Sequence, residues 1–255
     1  MNAAIDYEKL TFEALKSPGQ LHAAYSAFHQ YSIANQLFAA SQLSQIEPIN
    51  SYGGWKEIGR QVQKGAKGIA LMMPIFRKAK EEVTEQDRGP PAFYQMRRYW
   101  FPLSATEGQE YTPPPVPGFD KDKMLSELHI TEEPFQSLSG NCMGYAKTDA
   151  RIIAVSPLAF DSFKTLFHEC AHVLLHPGIL SADDERPARD VREVEAELSA
   201  YLVKSVLGST DGLEFSRGYI RNWIDDGTVE KVRFPKVYSA ADAILKAGRI
   251  MPTPA

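Results

Sequence analysis

The stretch FHECAHVLLHP, residues 167–177, holds three histidines four positions apart: His168, His172 and His176. On a helix, positions i and i+4 lie one turn apart on one face. His168 and His172 can therefore aim two imidazole nitrogens at one ion. Glu169 follows the first histidine, rotated about 100° around the helix axis. It flanks that ion without taking a histidine's place. H-E-x-x-H is the arrangement in which a divalent metal activates water and the carboxylate accepts its proton. Phe163, Leu166, Phe167, Ala171 and Leu174 surround the motif, so the histidines lie near a core. A neutral histidine there needs a partner, and an ion supplies one.

A third ligand is available in REVEAELSA, which carries Glu193, Glu195 and Glu197. Glu193 and Glu197 share a helix face and Glu195 points away. Glu193 is expected to ligate the ion and Glu197 to orient a ligand, with Glu197 as the alternative ligand. A fourth protein ligand would close the position that catalysis needs, so His176 reads as a structural residue or a support for a ligand. Zinc suits imidazole and carboxylate ligands, with another divalent ion as the alternative. Cys170 reads as a core thiol. It and Cys142 are the only two cysteines, too few for a four-cysteine zinc site or a disulfide scaffold, and in keeping with a reducing compartment.

Several elements must position these residues. Asp161 or Ser162 can cap the motif helix, and Pro177-Gly178 stops it. RDVREVEAELSAYLVKSVLG reads as a second helix, with Val191, Val194, Leu198, Tyr201, Leu202 and Val206 as its apolar stripe. KTDA separates two β-type runs, residues 142–146 and 151–155, which form a hairpin. An edge strand there can pair with an extended peptide, placing Tyr145 or Arg151 near the cleft. Residues 120–129 and the segment YSAADAILKAGRI read as further helices.

Upstream, TEGQEYTPPPVPGFD cannot continue a helix or a central strand and reads as a linker. It divides the chain into two units, residues 1–118 and 119–255. In the first, residues 21–44 have helical periodicity, residues 55–62 form a short helix, and residues 69–76 and the run AFYQMRRYWFPLS read as strands. The expected fold class is α+β with two domains.

The 255 residues are 44% hydrophobic with mixed charge, as in an ordinary globular protein. No run of eighteen apolar residues occurs, and MNAAIDYEKL lacks the features of a secretory signal. A cytoplasmic protein without a membrane partner is expected. The net charge of −4 is unevenly divided. Residues 51–100 carry ten bases and five acids, 10 − 5 = +5, which leaves −4 − 5 = −9 for the rest. A basic segment within an acidic chain suggests a polyanion surface. It interleaves Tyr52, Trp55, Phe76, Tyr94, Tyr99 and Trp100, and single-strand binders combine such stacking faces with cations.

YSIANQLFAASQ, followed by GGWKEIGRQVQKGAKGIALMMPIFRK, resembles the N-terminal single-stranded-DNA-binding domain of ArdC-type antirestriction proteins of plasmids. The run from Trp55 through GRQVQKGAKG is its most specific part, and within it Trp55, Arg60, Lys64 and Lys67 are the DNA-binding candidates. In that family a zincin-like metallopeptidase domain follows. YAKTDARIIAVSP, LFHECAHVLLH and REVEAELSAYLV are similar to it and to ImmA/IrrE-type peptidases. Where relatives often read FDxxQTEG, this chain has FPLSATEGQ. The resemblance implies that His168, His172 and Glu193 bind metal, that Glu169 is the base, and that single-stranded DNA and a protein substrate are the partners. The rival reading is a DNA-protecting protein whose metal site is structural or vestigial.

Overall fold

A computed structural model describes residues 5–76, 91–137, 142–178, 186–209, 218, 220 and 228–252. The fold is α+β. Three helices open it: α1 (Tyr7–Lys16), α2 (Pro18–Phe28) and α3 (Ile33–Ala40). The periodic stretch 21–44 is thus two helices, not one. Ser32 is extended and caps α3 by accepting from Asn35 N, and the Asp242 carboxylate accepts from Ile33 N at 2.8 Å. A tertiary contact therefore starts α3, which periodicity alone cannot reveal.

Next come β1 (Ile49–Ser51), α4 (Tyr52–Glu57), β2 (Arg60–Val62), β3 (Ile69–Ile75), β4 (Phe93–Pro102), β5 (Thr106–Gly108) and β6 (Gly118–Phe119). β1, β4 and β3 form an antiparallel sheet in that order. The helix expected over 55–62 is shorter and begins earlier. Ser51 caps it through Gly54 N at 3.0 Å, and Gly59 at φ 74 turns the chain into β2. β2 pairs with β5, and β6 pairs with the chain's last strand, so both ends of the proline-rich stretch are held in sheets.

Among the described residues there follow α5 (Lys121–Glu127), β7 (Thr131–Glu132), β8 (Gly144–Lys147), β9 (Ile152–Val155), α6 (Ser162–Leu175), α7 (Arg189–Val206), a 3-10 turn (Thr228–Lys231), α8 (Phe234–Gly248) and β10 (Arg249–Ile250). The hairpin expected around KTDA is β8–β9, in a sheet of order β7-β9-β8 that leaves β8 at an edge. α7 packs against α6, α8 and α2. That explains why it is buried on every side from Val194 to Val206 and not along one stripe.

The main core runs across the chain's midpoint. Leu21, Tyr25 and Ile33 from α2 and α3 lie in one cluster with Phe167, Leu198, Tyr201, Tyr238 and Ile244. A smaller core of Phe28, Ile49, Ile69 and Leu71 lies beneath the β1-β4-β3 sheet. Among the described residues no helix is long and apolar enough to cross a membrane.

Candidate metal centre

α6 presents the motif because its start is fixed twice. Asp161 accepts from Lys164 N at 2.8 Å, and its carboxylate pairs with Lys204 of α7. Phe167, Cys170 and Ala171 face the core, with Cys170 fully buried and its thiol pushed up to about 12 by burial. His168 and His172 are left on the face turned toward α7.

Three ligand atoms converge there. His168 Nε2 and His172 Nε2 are 3.1 Å apart, and Glu193 Oε2 lies 3.4 Å and 3.6 Å from them. A tetrahedral ion with bonds of 2.0–2.2 Å needs ligand separations of about 3.3–3.6 Å. The donor set and spacing therefore fit a divalent ion. It is the one such cluster among the described residues.

Glu197 sits elsewhere. Its Oε2 is 3.3 Å from His168 Nδ1 and its Oε1 is 2.7 Å from Lys164 Nζ. It therefore touches the far side of the histidine and is not aimed at the converging atoms. Burial pushes its carboxyl up, but His168 and Lys164 outweigh this and hold it at about 2. A fixed carboxylate at Nδ1 keeps the proton on that nitrogen and frees Nε2 as a ligand.

His172 is oriented by a longer chain. Its Nδ1 is 3.0 Å from His176 Nδ1, and His176 Nε2 is 2.9 Å from Glu195 Oε2. Glu195 also accepts from Arg233 at 2.6–2.9 Å, through the backbone N, Nε and the terminal guanidinium nitrogen. Burial opposes its charge, yet the bonds from Arg233 and His176 hold it at about 2. An anionic Glu195 accepts from His176 Nε2–H, His176 Nδ1 accepts from His172 Nδ1–H, and His172 Nε2 is left as a lone pair. The triplet of glutamates thus divides its work: Glu193 faces the converging nitrogens, Glu197 supports His168, and Glu195 supports His172 through His176. The alternation on α7 separated Glu195 from its neighbours, but its partner Arg233 lies 38 positions away and has no local signal.

Burial opposes a charge on both histidines. Glu193 and Glu197 overcome it at His168 and raise that group to about 9, whereas His172 stays lowered. One proton between the two rings therefore occupies the place that a cation would take, and an ion must displace it.

Glu169 lines the same cleft and is buried. Desolvation raises its carboxyl to about 7, and the positive His168 only partly offsets this. Gly144 of the edge strand lies against it. A Cβ there would meet Glu169 Oε1 at 2.8 Å and Thr165 Cγ2 at 2.6 Å. The cleft measures about 820 Å³, with Gly144, Tyr145 and Ala146 of β8 along one side. Tyr145 therefore lies at the cleft as expected, its hydroxyl donating to Glu133 at 2.9 Å. Arg151 does not line it: at φ 53 it bonds the carbonyls of Leu128 and His129.

The DNA-binding candidates separate by burial. Trp55 is 1% exposed, and its Nε1 donates to Phe101 O at 2.9 Å. Its ring packs inside and is not a stacking face, which corrects the expectation from sequence. Arg60 bonds Thr106 and Gln109 O, pinning β2 to β5, so its guanidinium has a structural task. Lys64 and Lys67 are exposed. Among the described residues of the basic segment the exposed aromatics are Tyr52, Phe76, Phe93, Tyr94 and Tyr99, with Arg97 and Arg98 also exposed on β4. Trp100 is partly buried against the smaller core. Arg77, Lys78, Lys80 and Arg88 lie outside the described residues.

No family model matches the chain, and no curated protein matches it. The chain is similar to solved structures of the antirestriction protein ArdC from the R388 plasmid. The Mn(II)-bound structure aligns at a TM-score of 0.52 and 18% identity over 95% of this chain and 97% of that one. The metal-free structure aligns equally well over 94% of its length. The likeness is one of fold and spans both halves of the chain.

Proposed function

We propose that this chain is an antirestriction-type protein that binds single-stranded DNA through its N-terminal sheet and carries a metal-dependent peptidase in the cleft between α6, α7 and β8. The observation that carries the peptidase reading is the 3.1–3.6 Å triangle of His168, His172 and Glu193, with Glu169 lining the same cleft. When bound there, a divalent ion supplies Lewis acidity to a carbonyl and to water. Zinc suits the donor set, and Mn(II) is bound in a structure of the R388 protein. Glu197 and His176 hold His168 and His172 in the tautomers that leave Nε2 free. β8 offers its open edge to the backbone of an extended substrate. Glu169 takes a proton from the attacking water and returns it to the leaving amine. Desolvation in the cleft raises its carboxyl, which makes it a stronger base than an exposed glutamate.

The DNA reading rests on different residues: the exposed bases Lys64, Lys67, Arg97 and Arg98 and the exposed rings of Tyr94 and Tyr99. The antirestriction role is that of the R388 protein, and the shared fold supports extending it to this chain.

One variant tests both parts. Glu169→Gln keeps the shape of the side chain but cannot accept the proton, so cleavage of a mixed protein pool should fall by about 10²–10⁴-fold. Metal content and single-strand affinity, read by atomic absorption and anisotropy, should be unchanged. Unaltered cleavage would remove Glu169 as base. No cleavage by the wild type, with metal and strand binding intact, would favour the rival: a DNA-protecting protein whose ion is structural.

A further inference from the structure

One wall of the cleft carries three arginines, Arg186, Arg189 and Arg192. They come from the approach to α7 and its first turn, and Ala188 gives that helix no side-chain cap. The positive end of α7 therefore acts in the same direction as the arginines.

Three carboxylates of the cleft are committed. Asp161 pairs with Lys204, Glu197 with Lys164 and His168, and Glu193 with the two histidines. Among the described residues, no carboxylate forms an ion pair with any of the three arginines. Arg192 Nε is buried and lacks a hydrogen-bond partner among the described residues. A buried guanidinium nitrogen without an acceptor is unusual, because desolvating it without a partner is unfavourable. Its charge also acts on His172, which places it close to the converging ligands.

We propose that this wall binds a carboxylate of the substrate: the peptide entering along β8 carries an Asp or Glu side chain on the α7 side, near the bond to be cut. This rests on the peptidase reading of the cleft. The planar guanidinium fork matches a carboxylate, and charge-assisted bonds are stronger than neutral ones. A peptide fits better than a nucleic acid. The edge strand β8 along the cleft offers main-chain hydrogen bonds that an extended peptide can complete and a sugar-phosphate backbone cannot. A peptide presents a single carboxylate to the arginines and a neutral backbone elsewhere.

The test uses the full chain bearing Glu169→Gln and loaded with zinc. Its ligands are degenerate decapeptides, acetylated and amidated at the ends, with the central residue fixed as Glu, Gln or Lys. The capped Glu library should bind about tenfold more tightly than the Gln library, with Lys weakest. Arg192→Gln, and separately the exposed pair Arg186→Gln with Arg189→Gln, should each remove most of that preference at unchanged metal content. The Gln library with a free C-terminus is the next arm. If it matches the capped Glu library, the carboxylate belongs to the chain end and the side-chain assignment falls. A thymidine oligonucleotide whose affinity drops with Arg192→Gln would put nucleic acid in the cleft and overturn the proposal. Wild-type cleavage of the same libraries separates this inference from its premise. Cleavage without acidic preference overturns the arginine wall alone. Acid-selective binding without cleavage overturns the peptidase reading alone. Absence of both overturns both.

Discussion

His172 can offer its Nε2 lone pair only while its Nδ1 carries the proton. The acceptor for that proton is His176 at 3.0 Å, and His176 is fixed in turn by Glu195 and Arg233. Each member has one role because the next permits no other. His176→Leu would remove the acceptor and leave the Glu195–Arg233 pair in place. Groups in this position typically contribute 10–100-fold to metal affinity. We expect a loss of that order, measured by competition with a chromophoric chelator, and partial recovery in His176→Asn, whose amide oxygen can stand where Nδ1 stood. An affinity unchanged in His176→Leu, with the fold intact by circular dichroism, would make His176 a packing residue only. The HExxH spacing made His168, His172 and Glu169 legible in the sequence, because helix geometry alone brings those atoms together. The His176–Glu195–Arg233 chain was not legible, because its logic depends on which face of α7 meets α6 and on a residue beyond α7.

Between elements, Asp242 on α8 joins the two halves of the chain. Its carboxylate accepts from Ile33 N at the start of α3. Burial raises it from 3.8 to about 6, despite the opposing bond from Ile33 and the charge of Arg249. A carboxyl raised on folding favours the folded state while protonated. Its contribution is complete below the unfolded value near 4 and is lost as pH rises through about 6. At neutral pH the penalty is on the order of 2–3 kcal/mol, from roughly 1.4 kcal/mol per pKa unit. Asn at this position has no charge to desolvate and still offers an oxygen to Ile33 N. Asp242→Asn should therefore raise the unfolding midpoint at pH 7.5, and its advantage should fade by about pH 4. A gain independent of pH would show that the carboxyl does not titrate on folding. The same contact explains the break at residues 29–32, which the periodicity of 21–44 did not contain. The sequence signals local to an element, such as the Asp161 cap and the KTDA turn, placed their elements well, whereas Gly59, read inside a helix over 55–62, in fact turns the chain out of one. The start of α3 depended on α8.

At the scale of the molecule, one core links α1–α3 to the helices of the metal centre, while the basic sheet sits over its own smaller core. The proposed DNA unit and peptidase unit are thus distinct in their sites but share packing. A test of strand binding must use the whole chain, since a cut near residue 118 would expose Leu21, Tyr25 and Ile33, which the later helices cover. Composition correctly located the positive charge in the first half but could not tell an inner aromatic from an outer one. Trp55 is 1% exposed, whereas Tyr94 is 62% and Tyr99 48% exposed. Stacking requires an accessible ring face, and each stacked base contributes about 1–3 kcal/mol. Tyr94→Ala with Tyr99→Ala should therefore weaken single-strand binding by at least tenfold without lowering the unfolding midpoint. Trp55→Ala should do the reverse in order of cause, destabilising the fold by about 3–5 kcal/mol as a buried aromatic lost from a core. Lys64→Ala should lower affinity and also reduce the slope of log affinity against log salt by about 0.7, the value for one phosphate contact on a single strand. Anisotropy of a labelled oligothymidine across a salt series, paired with thermal unfolding, reads all three. Strand affinity that survives loss of both tyrosines and has no salt slope would place the DNA surface elsewhere, because neither rings nor charges on this sheet would then be touching it.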